Sequence, residues 1–255
     1  MDDPLLLRYS RHILLDELGP DAQTRFASAH ALIVGVGGLG APVAQFLAAA
    51  GVGTMTLCDA DSVDLTNLQR QILYATADVG QPKVAAAAAR LAAVNPHVSV
   101  AAIARRIGAD DLATLVAAAD VVIDCCDNFE TRHAVNRACV AARKPLVSGA
   151  AIRFDGQLAV FDTRDAASPC YHCLFGEVDA LEETRCATMG VFAPLVGIVG
   201  STQAAEALKL IAGVGESLAG RLLLLDALSM EWREVRVPRD PECPVCRDRP
   251  TTRFD

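Results

Sequence analysis

Residues 31–40, ALIVGVGGLG, restrict the fold of this chain more than any other segment. An apolar run ends in a G-x-G-x-x-G pattern, and a helix-like sequence, LGAPVAQFLAAAG, begins at once. Strand, tight glycine turn and helix in that order is the context in which such glycines cradle a phosphate-bearing ligand. Gly35 lets the chain turn, Gly37 lets the backbone approach a phosphate, and Gly40 lets the helix pack closely on its strand. The start of the helix then offers free N–H groups and a positive dipole end to an anion. The glycines choose neither the nucleotide nor the reaction.

The same alternation continues along the chain. Strands are predicted at 30–35, 54–58, 98–103, 120–125 and 145–148, with helices at 39–50, 82–94, 109–118 and 129–142. That order implies a parallel sheet with helices on both faces. Gly51 is expected to end the first of these helices and Pro82 to open the second. Residues 3–28 read as N-terminal helices anchored by Leu5, Leu6, Ile13, Leu14 and Leu18. Beyond residue 150, segments 151–162 and 221–237 show strand-like alternation and predict an antiparallel extension of the sheet. A loop at 163–190 precedes a helix at 194–212, and a loop of that length is usually functional or held by something. The expected fold class is α/β: a Rossmann-like, mostly parallel sheet, extended by C-terminal antiparallel strands. It forms one domain, with N-terminal helices at 1–28, a nucleotide-binding half at 29–150 and a second half at 151–255.

A net charge of −8 without a basic block disfavours general binding to nucleic acid or anionic membrane. The uninterrupted apolar stretches are too short to span a bilayer, and the start, MDDPLLLRYSRH, lacks a cationic signal-peptide region. A cytoplasmic protein with no nucleic-acid or membrane partner is expected.

Several polar residues should gather at the carboxyl edge of the sheet. Asp59 ends the second strand, the usual place for an acid that hydrogen-bonds a ribose. Asn67, Arg70 and Gln71 crowd the next loop. Lys83 stands at a predicted helix start, where a cation opposes the dipole at a cost of about 0.3–1 kcal/mol unless an anion compensates. Only three of the 23 Lys and Arg residues are lysines, which makes that placement informative. Arg70 and Lys83 together suit more phosphate than one backbone turn handles. Asp127, after the strand DVVIDC, could hold Mg²⁺ opposite bound phosphates; Asp124 ranks below it because strand alternation turns it the other way. Cys170, Cys173, Cys243 and Cys246 form two C-x-x-C pairs, the donor set of a closed, structural tetrahedral Zn²⁺ site, with redox-active pairs as the alternative. Their separation suits a clasp tying the C-terminal tail to the long loop. Cys186 stands apart beside Arg185, a cation able to lower a thiol pKa, and is a candidate nucleophile. Cys58, Cys125, Cys126 and Cys139 read as small core residues.

Taken together, the segments RYSRHILL (8–15), GVGGLG (35–40), DADSVDLTNLQRQ (59–71), GQPK (80–83), DCCDN (124–128), PLVSGAAIRFDGQ (145–157), the two cysteine pairs and APLVGIVGSTQAAEALKL (193–210) resemble the ThiF/MoeB/HesA family, the bacterial relatives of ubiquitin-activating enzymes. The resemblance runs through nearly the whole chain in order. It implies an enzyme that uses Mg-ATP to adenylate the C-terminal glycine of a small ubiquitin-fold sulfur carrier ending in Gly-Gly, with release of pyrophosphate. It assigns residues 151–255 to the carrier. It places Gly38 at the nucleotide turn, Asp59 at the ribose, Asn67, Arg70 and Lys83 at the phosphates, and Asp127 at Mg²⁺. It makes Arg11 the arginine that each subunit of a homodimer inserts into its partner's ATP site. Cys186 matches a cysteine that, in the thiamine branch, can link to the carrier as an acyl disulfide. The sequence ends nine residues after Cys246, so no sulfurtransferase domain is expected and sulfur comes from a separate persulfide donor. Thiamine synthesis, molybdopterin synthesis and tRNA thiolation all remain open. A nicotinamide-dependent oxidoreductase leaves Arg70, Lys83 and the cysteine clasp unexplained, and a non-catalytic adaptor leaves Arg70, Lys83 and Asp127 unused.

Overall fold

The run His30–Val34 becomes β1, with Ala31 and Ile33 facing one apolar layer and Leu32 and Val34 the other. A strand buried on both faces needs apolar residues at every position, which is why the segment reads as a continuous run. The computed structural model describes residues 3–176 and 189–249. β2 (Thr54–Cys58), β3 (Ser99–Ile103), β4 (Val121–Asp124) and β5 (Pro145–Ile152) complete the parallel part. β6 (Asp155–Asp162), β7 (Arg221–Asp226) and β8 (Glu231–Arg236) continue it antiparallel, in the order β3-β2-β1-β4-β5-β6-β7-β8. The chain leaves β1 toward β2 and β3, then returns to β4 on the other side. Ligands of open α/β sheets bind outside the carboxyl ends of the strands at such a reversal.

Among the described residues the helices are α1 (Asp3–Arg8), α2 (Ser10–Ile13), α3 (Gly19–Ser28), α4 (Gly40–Ala50), α5 (Lys83–Val94), α6 (Ala109–Ala118), α7 (Phe129–Ala142), α8 (Tyr171–Phe175) and α9 (Ala193–Ala212). One face of the sheet buries Ile33, Met55, Leu57, Ile123, Val147 and Val160 with residues of α4, α5 and α9. The other buries Leu32, Val122, Leu146 and Phe161 with α6, α7 and Tyr171. α9 is long and apolar enough to cross a bilayer, yet it is a core helix: Leu195, Val199, Gln203 and Glu206 are buried. Gly200 lets it approach α4 closely, for an added Cβ would lie 2.5 Å from the Leu39 carbonyl oxygen.

Four expectations change. The sequence pattern stops the fifth strand at 148, but β5 runs on to Ile152 because it forms a full hairpin with β6. Pro82 caps α5 rather than opening it, and it bridges Ser62 across the loop. Most of the expected N-terminal anchors do not bury: α1 and α2, with 6 and 4 residues, are too short to bury a face, and Leu6 and Leu14 are exposed, whereas Leu18 packs against Ala22 and Phe26 as expected. Tyr9, Ala22, Gln23 and Phe26 hold this segment instead. The Tyr9 hydroxyl accepts from Asn95 Nδ2 at 2.8 Å, and Gln23 Nε2 donates to the Ala50 carbonyl at 2.8 Å. The long loop is also not structureless, since α8 lies within it.

Candidate functional site

The glycine turn sits at the carboxyl end of β1. Gly35 has φ of +89°, and an added Cβ would come within 2.7 Å of the Cys125 carbonyl oxygen. At Gly40 an added Cβ would lie 2.0 Å from the Gly35 carbonyl oxygen, backbone against backbone. Gly40→Ala is therefore expected to destabilise the fold by about 3 kcal/mol, roughly 10 °C in Tm, measurable by thermal melting. At Gly38 the added atom would meet Val196 of α9 at 3.1 Å, so this glycine serves helix packing. At Gly37 it would meet only Gln71 Nε2, at 3.5 Å.

The turn is pinned from several sides. Asp59, directly after β2, accepts from Val36 N–H through Oδ2 at 2.8 Å and from Asp61 N–H through Oδ1 at 2.9 Å. Each carboxylate oxygen keeps a further lone pair for a ligand hydroxyl. The Tyr74 hydroxyl donates to the Val36 carbonyl at 2.7 Å, and Gly35 N–H donates to Cys58 O at 2.8 Å. Burial pushes the Tyr74 hydroxyl well above its ordinary pKa, so it stays a donor. Tyr74 carries no motif signal, and sequence reasoning passed over it.

The segment 59–83 arches beside this turn. Asp64 and Asn67 cap a short 3₁₀ turn, with Asp64 Oδ1 accepting from Thr66 N–H at 2.8 Å and Asn67 Oδ1 accepting from Asp64 N–H at 3.3 Å. Half-buried Arg70 donates to the Thr66 carbonyl at 3.1 Å. Gln71 is buried, and its Oε1 has no hydrogen-bond partner among the described residues. Lys83 begins α5 with its side chain 7% exposed, and its Nζ lies 2.9 Å from Asp61 Oδ2, a carboxylate that is 72% exposed. Lys83 N–H also donates to the Asp61 carbonyl at 2.9 Å, so one residue holds both ends of the lysine. Asp61 is a partner that the sequence reading did not single out, although it lies two residues from Asp59.

At the end of β4 the two aspartates part company. Asp124 is buried, accepts from Ser148 Oγ at 2.7 Å and pairs with Arg132 Nη1 at 3.2 Å. Arg132 also donates to the carbonyls of Gly149, at 2.9 Å, and Cys126. Gln203 of α9 donates to the Asp124 carbonyl at 2.8 Å. This network ties β4, β5, α7 and α9 together and fixes the turn that carries Asp127, which is exposed. A lone acid closing the apolar strand VVID was the signal that could have found it.

The four cysteines meet. Cys170 Sγ lies 3.8 Å from Cys173 Sγ and 3.7 Å from Cys243 Sγ, Cys173 Sγ lies 3.5 Å from Cys246 Sγ, and all four lie within 4.8 Å of one another. Sulfurs about 2.3 Å from a tetrahedral ion stand about 3.8 Å apart, so the donor set fits such an ion. None of the four is in a disulfide. The tail is tied further by Arg239, which donates to Ala166 O at 2.8 Å, and by Arg249, which donates to the carbonyls of Ser168 and Ala166. Burial pushes the Cys58 thiol up to about 12 and raises those of Cys125, Cys126 and Cys139 as well, so these four stay protonated core residues. Cys186 lies outside the described residues. Arg11 is exposed on α2, away from this chain's core.

A cavity of about 540 Å³ opens at the amino edge of the sheet, among Arg25, Asp120, Arg143, Lys144 and Arg164. It is remote from the glycine turn, and its cations face the carbonyl ends of α3, α7 and α9, which favour positive charge.

Residues 9–245 match the ThiF family. The molybdopterin-synthase adenylyltransferase of Escherichia coli K12 is 46% identical over 249 residues, covering 96% of this chain and 98% of that protein. The sulfur carrier protein adenylyltransferase of Thermus thermophilus is 47% identical over 250 residues, covering 96% of this chain and 92% of that one. The crystal structure of E. coli MccB with ATP superposes with a TM-score of 0.83 at 27% identity, covering 94% of this chain and 73% of that chain. With a match from Tyr9 to Val245 and near-full-length relatives identical at almost half of the aligned positions, the chain belongs to the ThiF family.

Proposed function

We infer that this protein is an adenylyltransferase that activates the C-terminal glycine carboxylate of a ubiquitin-fold sulfur carrier as an acyl-adenylate, releasing pyrophosphate. The observation that carries the reading is Lys83, a buried cation kept at the end of a helix that disfavours it, beside a glycine turn braced by Asp59. The carrier carboxylate is already ionised at neutral pH, so its attack on the α-phosphate needs no general base. Positioning and charge neutralisation supply the catalysis. Asp59 receives the ribose while bracing the turn. Asn67, Arg70 and Lys83 receive the phosphates. Exposed Asp127 would offer an oxygen ligand to Mg²⁺, which would supply charge neutralisation at the phosphates. Zinc is the metal that best suits four thiolates in a closed site, where it is structural.

The test is carrier-dependent ATP–pyrophosphate exchange with candidate carriers ending in Gly-Gly. Exchange that needs both the carrier and its terminal glycine is the expected result; none with any carrier would sink the reading. Sulfur for the activated carrier then comes from a persulfide donor.

The antiparallel end of the sheet suits the body of the carrier. Leu228, Met230 and Trp232 are exposed at the turn end of the β7–β8 hairpin. An exposed apolar group of this kind marks a protein-binding surface. Trp232→Glu is expected to raise the KM for carrier by about tenfold, with the KM for ATP unchanged. Steady-state exchange kinetics read both values, and an unchanged carrier KM would remove this face from the assignment.

The working unit is a homodimer in which Arg11 reaches the partner's nucleotide. Leu6, Leu7, Leu14 and Leu15, exposed around Arg11, are a surface that a second copy would cover. An Arg11→Ala chain and a Lys83→Ala chain, each inactive alone, are expected to regain about a quarter of wild-type exchange when mixed and allowed to re-associate, because random pairing gives half heterodimers with one intact site each. No recovery would place Arg11 in its own subunit's site, and an Arg11→Ala chain that is active alone would place it outside catalysis.

A further inference from the structure

Four thiolates around a divalent ion form a net dianion. Cys170, Cys243 and Cys246 are buried, and buried charge is tolerated only with counter-charge and hydrogen-bond donors. The chain places both at the cluster, on residues that no motif marks.

The first is Asn136, fully buried on α7. Its Oδ1 accepts from Tyr171 N–H at 2.9 Å, and its Nδ2 lies 3.7 Å from Cys170 Sγ. The orientation of the amide is fixed by chemistry. A backbone N–H can only donate, so the atom facing Tyr171 is the oxygen and the atom facing the sulfur is the nitrogen. An N–H directed at sulfur favours the thiolate over the thiol and restrains the direction of its lone pairs.

The second is Arg249, 6% exposed. It donates to the carbonyls of Ser168 and Ala166, while its Nε and Nη1 have no hydrogen-bond partner among the described residues. Arg239 stands beside it and donates to the Cys246 carbonyl at 2.6 Å. Two buried or half-buried guanidinium groups thus flank a cluster that becomes a dianion when loaded.

We infer that Asn136 and Arg249 are positioning residues for the metal clasp: Asn136 orients and stabilises the Cys170 thiolate, and Arg249, with Arg239, balances the charge of the loaded site. The inference rests on the metal reading of the cluster. It also gives α7 a second task. The same helix holds Arg132 against Asp124 near its start and Asn136 against the clasp one turn later, so it joins the metal to the turn that bears Asp127.

The test uses the full chain loaded with zinc and challenged with a chromogenic chelator. Asn136→Asp keeps the shape and the acceptor for Tyr171 but replaces the donor facing sulfur with a negative oxygen. Asn136→Asp and Arg249→Met are each expected to weaken metal retention by about 10- to 100-fold. Arg249→Gln keeps amide donors for the carbonyls without the charge and is expected to stay as weak as Arg249→Met, whereas a role confined to bridging carbonyls would let it recover part of the loss. In the cobalt-loaded chain, Asn136→Ala is expected to move the sulfur-to-cobalt charge-transfer band, a change that packing alone does not produce. Wild-type retention in both Asn136→Asp and Arg249→Met would overturn the inference. A wild-type chain that holds well under about one metal per chain would overturn the metal reading itself.

Discussion

Replacing Lys83 with alanine is expected to reduce carrier-dependent ATP–pyrophosphate exchange by about 10²- to 10³-fold, the loss typical of a preorganised charge aimed at a reacting phosphate. The same change is expected to leave Tm almost where it was. Lys83 opposes the dipole of α5, which costs about 0.3–1 kcal/mol, so the helix does not want this charge. Its ion pair with Asp61 returns little, because that carboxylate is 72% exposed and is hydrated whether or not the lysine is present. On the proposed reading the ammonium therefore serves function at slight expense to stability. A melting experiment beside the exchange assay separates the two. A variant that melts like wild type and exchanges within about tenfold of it would remove Lys83 from the phosphate site.

The second large effect concerns the clasp. Cys243→Ser, or exhaustive chelation of the wild-type chain, is expected to release the C-terminal tail and lower Tm by more than about 10 °C, since metal binding at a structural site is itself folding free energy. The damage should be local at first. The three buried cysteines form their own small cluster, separate from the two apolar layers that flank the parallel strands. Limited proteolysis is therefore expected to cut the region of residues 237–249 before any part of β1, β2 or β4, and nucleotide binding is expected to outlast carrier-dependent exchange. Simultaneous loss of both activities at one chelator concentration would show that the clasp and the nucleotide half unfold as one unit.

The parallel half was largely legible in the sequence because its signals are local. Strand β2 and helices α6 and α7 fall at the residues that periodicity marks, and the glycine turn announces itself. What escaped depends on contacts far apart in the chain. The end of β5 is decided by its hairpin with β6, not by its own composition. Leu5 and Leu6 of α1 and Ile13 of α2 look like anchors on a helical wheel, but helices of 6 and 4 residues have no continuous face to bury. Tyr9 and Asn95, which hold that segment, are 86 residues apart. The same holds around the candidate site. Asp59 was visible from its place after a strand, whereas Asp61, Tyr74 and the Asp124–Arg132–Ser148 network are defined only by what the fold brings beside them. The resemblance to a family added roles that no local pattern carries, Arg11 above all.

The contact between Cys170 and Cys243 spans 73 residues. Closing a loop of that length in an unstructured chain would cost about 4–5 kcal/mol of conformational entropy. The intervening segment contains α9, β7 and β8, and once these have docked on β6 most of that entropy is already gone. Metal capture should therefore be the last event of biogenesis. A newly made chain would first pass through a metal-free stage with its nucleotide half in place, and its maturation rate would follow the free metal concentration rather than the speed of strand pairing.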